Sequence, residues 1–284
     1  MIGRAVTVAA LLCVAALVNA ADEVVTRGSN LTVDAGRDAR LLMDLSGALW
    51  VLPRRGGEAT LLAEDPGLVR RPRWSPDGTR IVYASNGNGQ RGLRIHDVAS
   101  GESRPLGSSR WLDLHPAWHP DGERVVFASD RRDTGFDIWE VDVGTGLEWR
   151  LSSHAGDETD PAWSADGRNL VYVSHHEDRW SLMLRRFGEA DRALITSEEP
   201  LSAPSWRPDG SLISFARETE DGATINMLIL SDPLLERVLI NDAELFLAPV
   251  TWIDRQQLLY SANSRIRKRQ FNSWVSRTVP FRAT

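Results

Sequence analysis

The sequence predicts an all-β chain, a six-bladed β-propeller of four-stranded antiparallel blades, and three observations predict it. Five of the eleven tryptophans (Trp74, Trp118, Trp163, Trp206 and Trp252) stand 44, 45, 43 and 46 residues apart. Four of them open the same turn unit: Trp74-Ser75-Pro76-Asp77-Gly78, Trp118-His119-Pro120-Asp121-Gly122, Trp163-Ser164-Ala165-Asp166-Gly167 and Trp206-Arg207-Pro208-Asp209-Gly210; Trp252-Ile253-Asp254 is a worn copy. After each unit comes a short apolar run, at residues 81–85, 125–129, 170–174, 212–216 and 258–262. Four short strands in a period of about 44 residues make one propeller blade.

Within a period each segment has its own reason. The tryptophan ends the first strand and fills the wedge between neighbouring sheets, because a blade must bury both faces and one bulky anchor does so. The Pro-Asp-Gly unit is the first turn: proline fixes φ, aspartate bonds nearby backbone, and glycine accepts positive φ. Asp77, Asp121, Asp166 and Asp209 are therefore turn residues, not catalytic carboxylates. The apolar run is the second strand. A polar hairpin such as 130–135 leads to the third, for example 137–141, and Gly144-Thr145-Gly146 turns it into the fourth, 148–151. A sixth copy lies upstream, with strands at 31–33, 39–44, 48–53 and 59–62 and Asp34-Ala35-Gly36 as its decayed turn. The blades then span 31–69, 70–113, 114–158, 159–200, 201–245 and 246–284. Five blades behind an unrelated N-terminal segment is the competing reading. No stretch of eleven residues after the leader holds a helical period.

Residues 1–20 have the layout of a cleaved secretory signal: Arg4, an apolar run over 5–18 broken only by Thr7, and small residues at Val18-Asn19-Ala20. The run is short for a membrane span, and no later segment approaches one. Bulky Leu12 before Cys13 speaks against a lipoprotein. The expected product is secreted or periplasmic, with residues 21–30 as a short N-terminal segment ahead of the propeller at 31–284. Removing 20 of the 284 residues takes the only cysteine and Arg4, leaving a chain without disulfides and with formal charge −7 in place of −6. That balance disfavours nucleic acid as a partner, since phosphate backbones require a strongly basic face.

The Trp-Ser-Pro-Asp-Gly units, with their apolar strands and the Asp137-Ile138-Trp139 strand, resemble the WD40-like repeat of TolB-type periplasmic propellers. The resemblance runs from about Leu31 to Phe281 and implies fold more than function. TolB itself has an α/β domain before its propeller, whereas about ten residues precede the first blade here. A closer likeness is to exported amidohydrolases with an N-terminal TolB-like propeller. It is carried by Asp44-Leu45-Ser46-Gly47-Ala48-Leu49-Trp50-Val51-Leu52-Pro53, Gly56-Gly57-Glu58-Ala59-Thr60 and the closing Val279-Pro280-Phe281. In those proteins a metal-dependent hydrolase domain follows the propeller. This sequence stops at Thr284 and has no His-x-His motif of the kind that chemistry needs.

Loops on a rigid scaffold are where ligands dock. The connections into each first strand, with the hairpins between second and third strands, define one rim. It collects Trp111, Asp113, His115, His154, Asp157, Glu158, Asp160, Asp242 and Glu244, and from the hairpins Asp130, Arg131, Arg132, Asp133, His175, His176, Glu177 and Asp178. His115 and His154 are candidate neighbours from adjacent blades. A divalent cation is the one cofactor such a rim would hold, and none is required. His96 falls in a third strand as a core or inter-blade hydrogen-bonding residue. The basic run 265–269 reads as an edge strand with outward charges that discourage sheet pairing. Residues 23–26 read as an added outer strand that latches the last blade. No Gly-x-Ser-x-Gly elbow or His-Glu-x-x-His occurs. The expectation is a non-catalytic scaffold for a protein, peptide or ligand, with no membrane span. Its alternatives are the propeller module of a larger hydrolase and a rim enzyme using a metal or acid–base pair.

Overall fold

The computed structural model describes residues 25–28, 31–85, 91–108, 110–132 and 135–284. The leader, Cys13, Glu23 and Asp133 lie outside the described residues. Six four-stranded antiparallel sheets follow one another, each with its strands in sequence order. Their first strands are Val33–Ala35, Arg70–Trp74, Asp113–Trp118, Asp157–Trp163, Leu201–Trp206 and Thr251–Trp252. Each touches the first strand of its neighbours, and the last returns to the first, so the six form the inner wall of a closed ring. There the Thr251 hydroxyl donates to the Val33 carbonyl at 2.6 Å. The six-bladed reading holds, and the five-bladed one does not.

Each anchor tryptophan sits in the wedge toward the preceding blade. Trp74 packs with Leu42 and Leu49 of blade 1 and with Ile81 and Tyr83 of its own sheet. Trp118 joins Val82 and Ile95 to Val125 and Phe127, and Trp163, Trp206 and Trp252 repeat the arrangement. Three indoles also tie blades by hydrogen bonds: Trp118 Nε1 donates to Arg73 O at 3.1 Å, Trp206 Nε1 to Ala162 O at 3.0 Å, and Trp252 Nε1 to Ser214 Oγ at 3.2 Å. The turn units behave as their chemistry requires. Asp77 accepts from Ser75 Oγ at 2.5 Å and Thr79 N at 3.0 Å, and Gly78 takes φ 74°. The Ser75 hydroxyl first, then the Thr79 amide, hold the Asp77 carboxyl down at about 2.

Blade 1 departs from expectation at its turn. Asp34 and Ala35 belong to the first strand, which pairs Ala35 with Leu41 as Trp74 pairs with Ile81, so the turn falls after Gly36. Ala35 thus occupies the anchor position, and the seam between blades 6 and 1 has no indole there. It is filled by Leu31, Val33, Leu41, Met43, Leu259, Ile266, Val279 and Phe281. Blade 6 is complete without a borrowed strand. Beyond it Phe281–Arg282 crosses to pair in parallel with Gly57–Glu58 of blade 1, and Val25 and Ala283 exchange two 2.9 Å backbone bonds. Among the described residues the N-terminal segment therefore meets the chain's end rather than extending blade 6.

Arg265–Gln270 is not an edge. It is the third strand of blade 6, paired on both sides. Arg267 bonds Ser276 and Thr278 of the outer strand, and buried Arg269 reaches the Leu239 carbonyl of blade 5. Alternating charge is common to an edge and to a third strand whose arginines fasten what lies outside it. His96 is fully buried, with Nδ1 2.9 Å from Ser103 Oγ in its own blade, and burial lowers its pKa.

Candidate functional site

A bulge recurs in the first strands of blades 2 to 5, between Arg70 and Arg73, Leu114 and Ala117, Thr159 and Ala162, and Ser202 and Ser205. Three residues before each tryptophan the backbone is left-handed: Arg71, His115, Asp160 and Ala203 have φ of 47°, 54°, 52° and 55°. A proline follows every one of them, and proline disfavours the right-handed helical conformation in the residue before it. Bulges re-aim side chains. Here they deliver one residue per blade into the central channel.

Those side chains close the channel partway. Arg71 crosses from blade 2 to form an ion pair with Asp160 of blade 4 and donates to the Leu247 carbonyl at 3.2 Å. His115 Nδ1 lies 3.3 Å from the same Asp160 carboxylate, at an angle that makes no hydrogen bond. Asp44 accepts the Thr32 amide at 2.6 Å and the Arg71 amide at 3.3 Å, holding the plug to blade 1. Burial drives the Asp160 carboxyl up, but Arg71 and then His115 outweigh it and keep it below the ordinary carboxylate range. Enclosure in the channel, and next the Arg71 charge, hold His115 down at about 4 against the pull of Asp160.

Above this plug a cavity of about 470 Å³ opens toward the Pro-Asp-Gly turns, not toward the rim expected from loop composition. Its mouth carries Arg37, Pro76, Pro120, Ala165 and Pro208, and its wall the five anchor tryptophans. One tier below the mouth stand Asp34 and Arg73, 3.7 Å apart. Asp34 also accepts the Trp74 amide at 2.8 Å, and burial raises its pKa against the Arg73 charge. Sequence reasoning missed Arg71, Arg73 and Asp34. Counting back three and one from Trp74 finds the two arginines, whereas Asp34 precedes an alanine and has no such signal.

Of the expected rim residues, His115 and Asp160 meet in the channel, and the others have separate neighbours. Asp113 is fully buried against Arg131 at 3.0 Å, and burial pushes it up to about 6. Arg131 also reaches Glu148 and lies over the Trp139 ring, 4.5 Å from its centroid. Asp130 caps the Leu112 amide and Asp157 the Phe136 amide. His154 meets Glu158 at 2.6 Å and Tyr172 at 3.3 Å, with no contact to His115. Ser152 donates to Glu158 rather than to His154, so this group is no nucleophile–base relay. His175 stacks on Trp180 at 4.0 Å, while His176 and Trp111 are exposed. Among the described residues no group of three or more His, Cys, Asp or Glu is placed to hold a metal ion, and no helix is long and apolar enough to cross a membrane.

The pKa of His115 sets a pH dependence. In the unfolded chain imidazole titrates near 6.5, so between 6.5 and about 4 the unfolded state binds more protons and stability falls as pH falls. The expected loss is about 2 kcal/mol, reduced for water in the channel. His115→Asn, which tolerates the left-handed backbone, should lose that much less between pH 7 and 4.5 in urea titrations. Equal losses would mean that His115 is protonated in place, beside Arg71, Arg73, Asp34 and Asp160.

The family model described as the TolB beta propeller domain matches residues 45–252. No curated protein matches the chain in sequence. Among solved structures, TolB of Acinetobacter baumannii is similar over 89% of this chain and 66% of its own, with TM-score 0.71 and 14% identity. Tricorn protease is similar over 89% of this chain and 26% of its own, at 0.72 and 16%. Oligogalacturonate lyase of Vibrio parahaemolyticus is similar over 90% and 78%, at 0.61 and 13%. At these identities the likeness is one of fold. The chain spans about two thirds of that TolB and about a quarter of tricorn protease.

Proposed function

Since this chain belongs to the TolB β-propeller domain family, we propose that it is an exported, non-catalytic binding scaffold whose docking site is the channel mouth on the Pro-Asp-Gly face. One observation carries the reading: the cavity is walled by tryptophan and proline, opens on one face, and ends on the Arg71–Asp160 pair. A concave pocket that sets a few convergent charged groups among apolar rings is a common form of ligand site. The leader at 1–20 supports export. The two carboxylates in the channel face arginines, Asp160 with Arg71 and Asp34 with Arg73, which suits recognition better than proton transfer.

Ala165 tests this. It is exposed at the mouth, in the one Pro-Asp-Gly unit that lacks proline, so Ala165→Trp covers the opening without disturbing the core. Captured from the exported fraction on immobilised protein, a specific partner should fall about tenfold or more with A165W, the loss expected when a docking pocket is filled. It should be unchanged with His176→Ala on the opposite face. The reverse pattern would move the site to the rim.

A second reading, a propeller module of a larger hydrolase, is favoured by the likeness to about a quarter of tricorn protease. Nucleotide sequence past the codon for Thr284 that lacks a hydrolase-like frame would end it.

A further inference from the structure

The tier below the mouth is chemically lopsided. One residue before the anchor position the six blades present Asp34, Arg73, Ala117, Ala162, Ser205 and Thr251. Arg73 is the only cation of that ring, and the wall running on from it is small. A guanidinium carries five N–H donors. Among the described residues the one polar approach to that of Arg73 is Asp34 Oδ1 at 3.7 Å, too long for a hydrogen bond. The other Asp34 oxygen is committed to the Trp74 amide. Arg73 nonetheless keeps only 15% of its side-chain surface open, beside the cavity. Its free donors open on the cavity rather than into the packed interior, where a ligand can reach them. Arg71, one tier deeper, by contrast bonds both Asp160 and the Leu247 carbonyl.

We infer that the channel receives the free carboxylate of a polypeptide C-terminus, which docks on the Arg73 guanidinium while the last few residues lie along the tryptophan and proline wall. The inference rests on the channel-mouth reading and adds the chemistry of the ligand. Arginine and carboxylate match as paired forks. The charge count favours a monoanion: Arg37, Arg71 and Arg73 line the cavity against Asp34 and Asp160, a surplus of one positive charge, too little for a dianion such as phosphate. The volume suits a short chain end rather than a folded domain. His115 adds an imidazole nitrogen without a hydrogen-bond partner at the base.

The test offers immobilised protein a random N-acetylated tripeptide pool in two forms, free acid and C-terminal amide, and counts retained peptides by mass spectrometry. Free acids should be enriched about ten- to hundredfold over amides, the range for one charged hydrogen-bonded pair. Arg73→Ala should erase the preference, and Arg73→Lys, with the charge but not the fork, should restore part of it. Millimolar inorganic phosphate should not displace the acids. R73A also takes the facing charge from Asp34, so its melting midpoint is read beside the retention. Should R73A melt early, Arg73→Gln takes its place with the same expectation. Equal retention of acids and amides, or a preference that survives R73A, overturns the carboxylate and leaves docking at the mouth standing. Retention of neither form overturns it as well, and the A165W capture then decides whether docking at the mouth falls with it.

Discussion

Asp160→Ala should lower the stability of the protein by about 3 kcal/mol, read as the urea midpoint at pH 7. The carboxylate keeps 6% of its surface open and is the counter-charge that Arg71 reaches across the channel to meet. Removing it strands a guanidinium whose remaining bond is to the Leu247 carbonyl, and an enclosed charge without its partner is the expensive case. The same substitution made together with Arg71→Ala should restore more than half of the loss, because both charges then leave. A double-mutant cycle should give a coupling of about 2 kcal/mol. If the single variant costs less than about 0.5 kcal/mol, as exposed pairs do, then water in the cavity already solvates Arg71 and the plug adds nothing to the fold.

Phe281→Ala should cost as much by a different route, about 3–4 kcal/mol for the cavity it leaves. For a chain of this size that lowers the melting midpoint by roughly 10 °C. Five seams have an indole at the anchor position; the seam between blades 6 and 1 has Ala35 there and relies on aliphatic residues and Phe281, with half-buried Trp50 packed against them. Phe281 is buried and lies in the segment that runs alongside Gly57–Glu58, so its removal empties the seam and weakens the strand that closes it. Phe281→Leu, which keeps most of the volume, should cost less than about 1.5 kcal/mol. A loss near 1 kcal/mol for the alanine variant would show that the ring closes by its inner strands alone.

The ring itself was legible because its signal is redundant. Tryptophan spacing, turn units and apolar runs repeat together, and each has a separate physical cause. The first blade was legible in its strand count and misread at its turn, since Asp34-Ala35-Gly36 resembles a worn Asp-Gly unit while the pairing of Ala35 with Leu41 carries the strand one step further. The run 265–269 was misread because alternation states which side chains share a face and says nothing of what lies beyond the strand. The channel was not legible from composition. Thr32, Arg71, His115, Asp160, Ala203 and Pro249 have no residue type in common; they share only a distance from the anchor and, in four of them, a left-handed backbone. His115 and Asp160 were picked out as loop residues, and the bulge is what turns them inward.

That bulge has a consequence for how such a chain can change over generations. The wedges are fixed by the tryptophans and the pairing by residues on either side, so the six inward positions can be rewritten while the ring stays as it is. The backbone restricts the choice, since left-handed φ penalises β-branched residues and tolerates Asn, Asp, His or Gly. Charge restricts it again, because Arg71 and Asp160 must change together or not at all. A lineage built on this ring would therefore acquire new specificities by paired steps at the channel floor, with the outer sheets carried along unaltered.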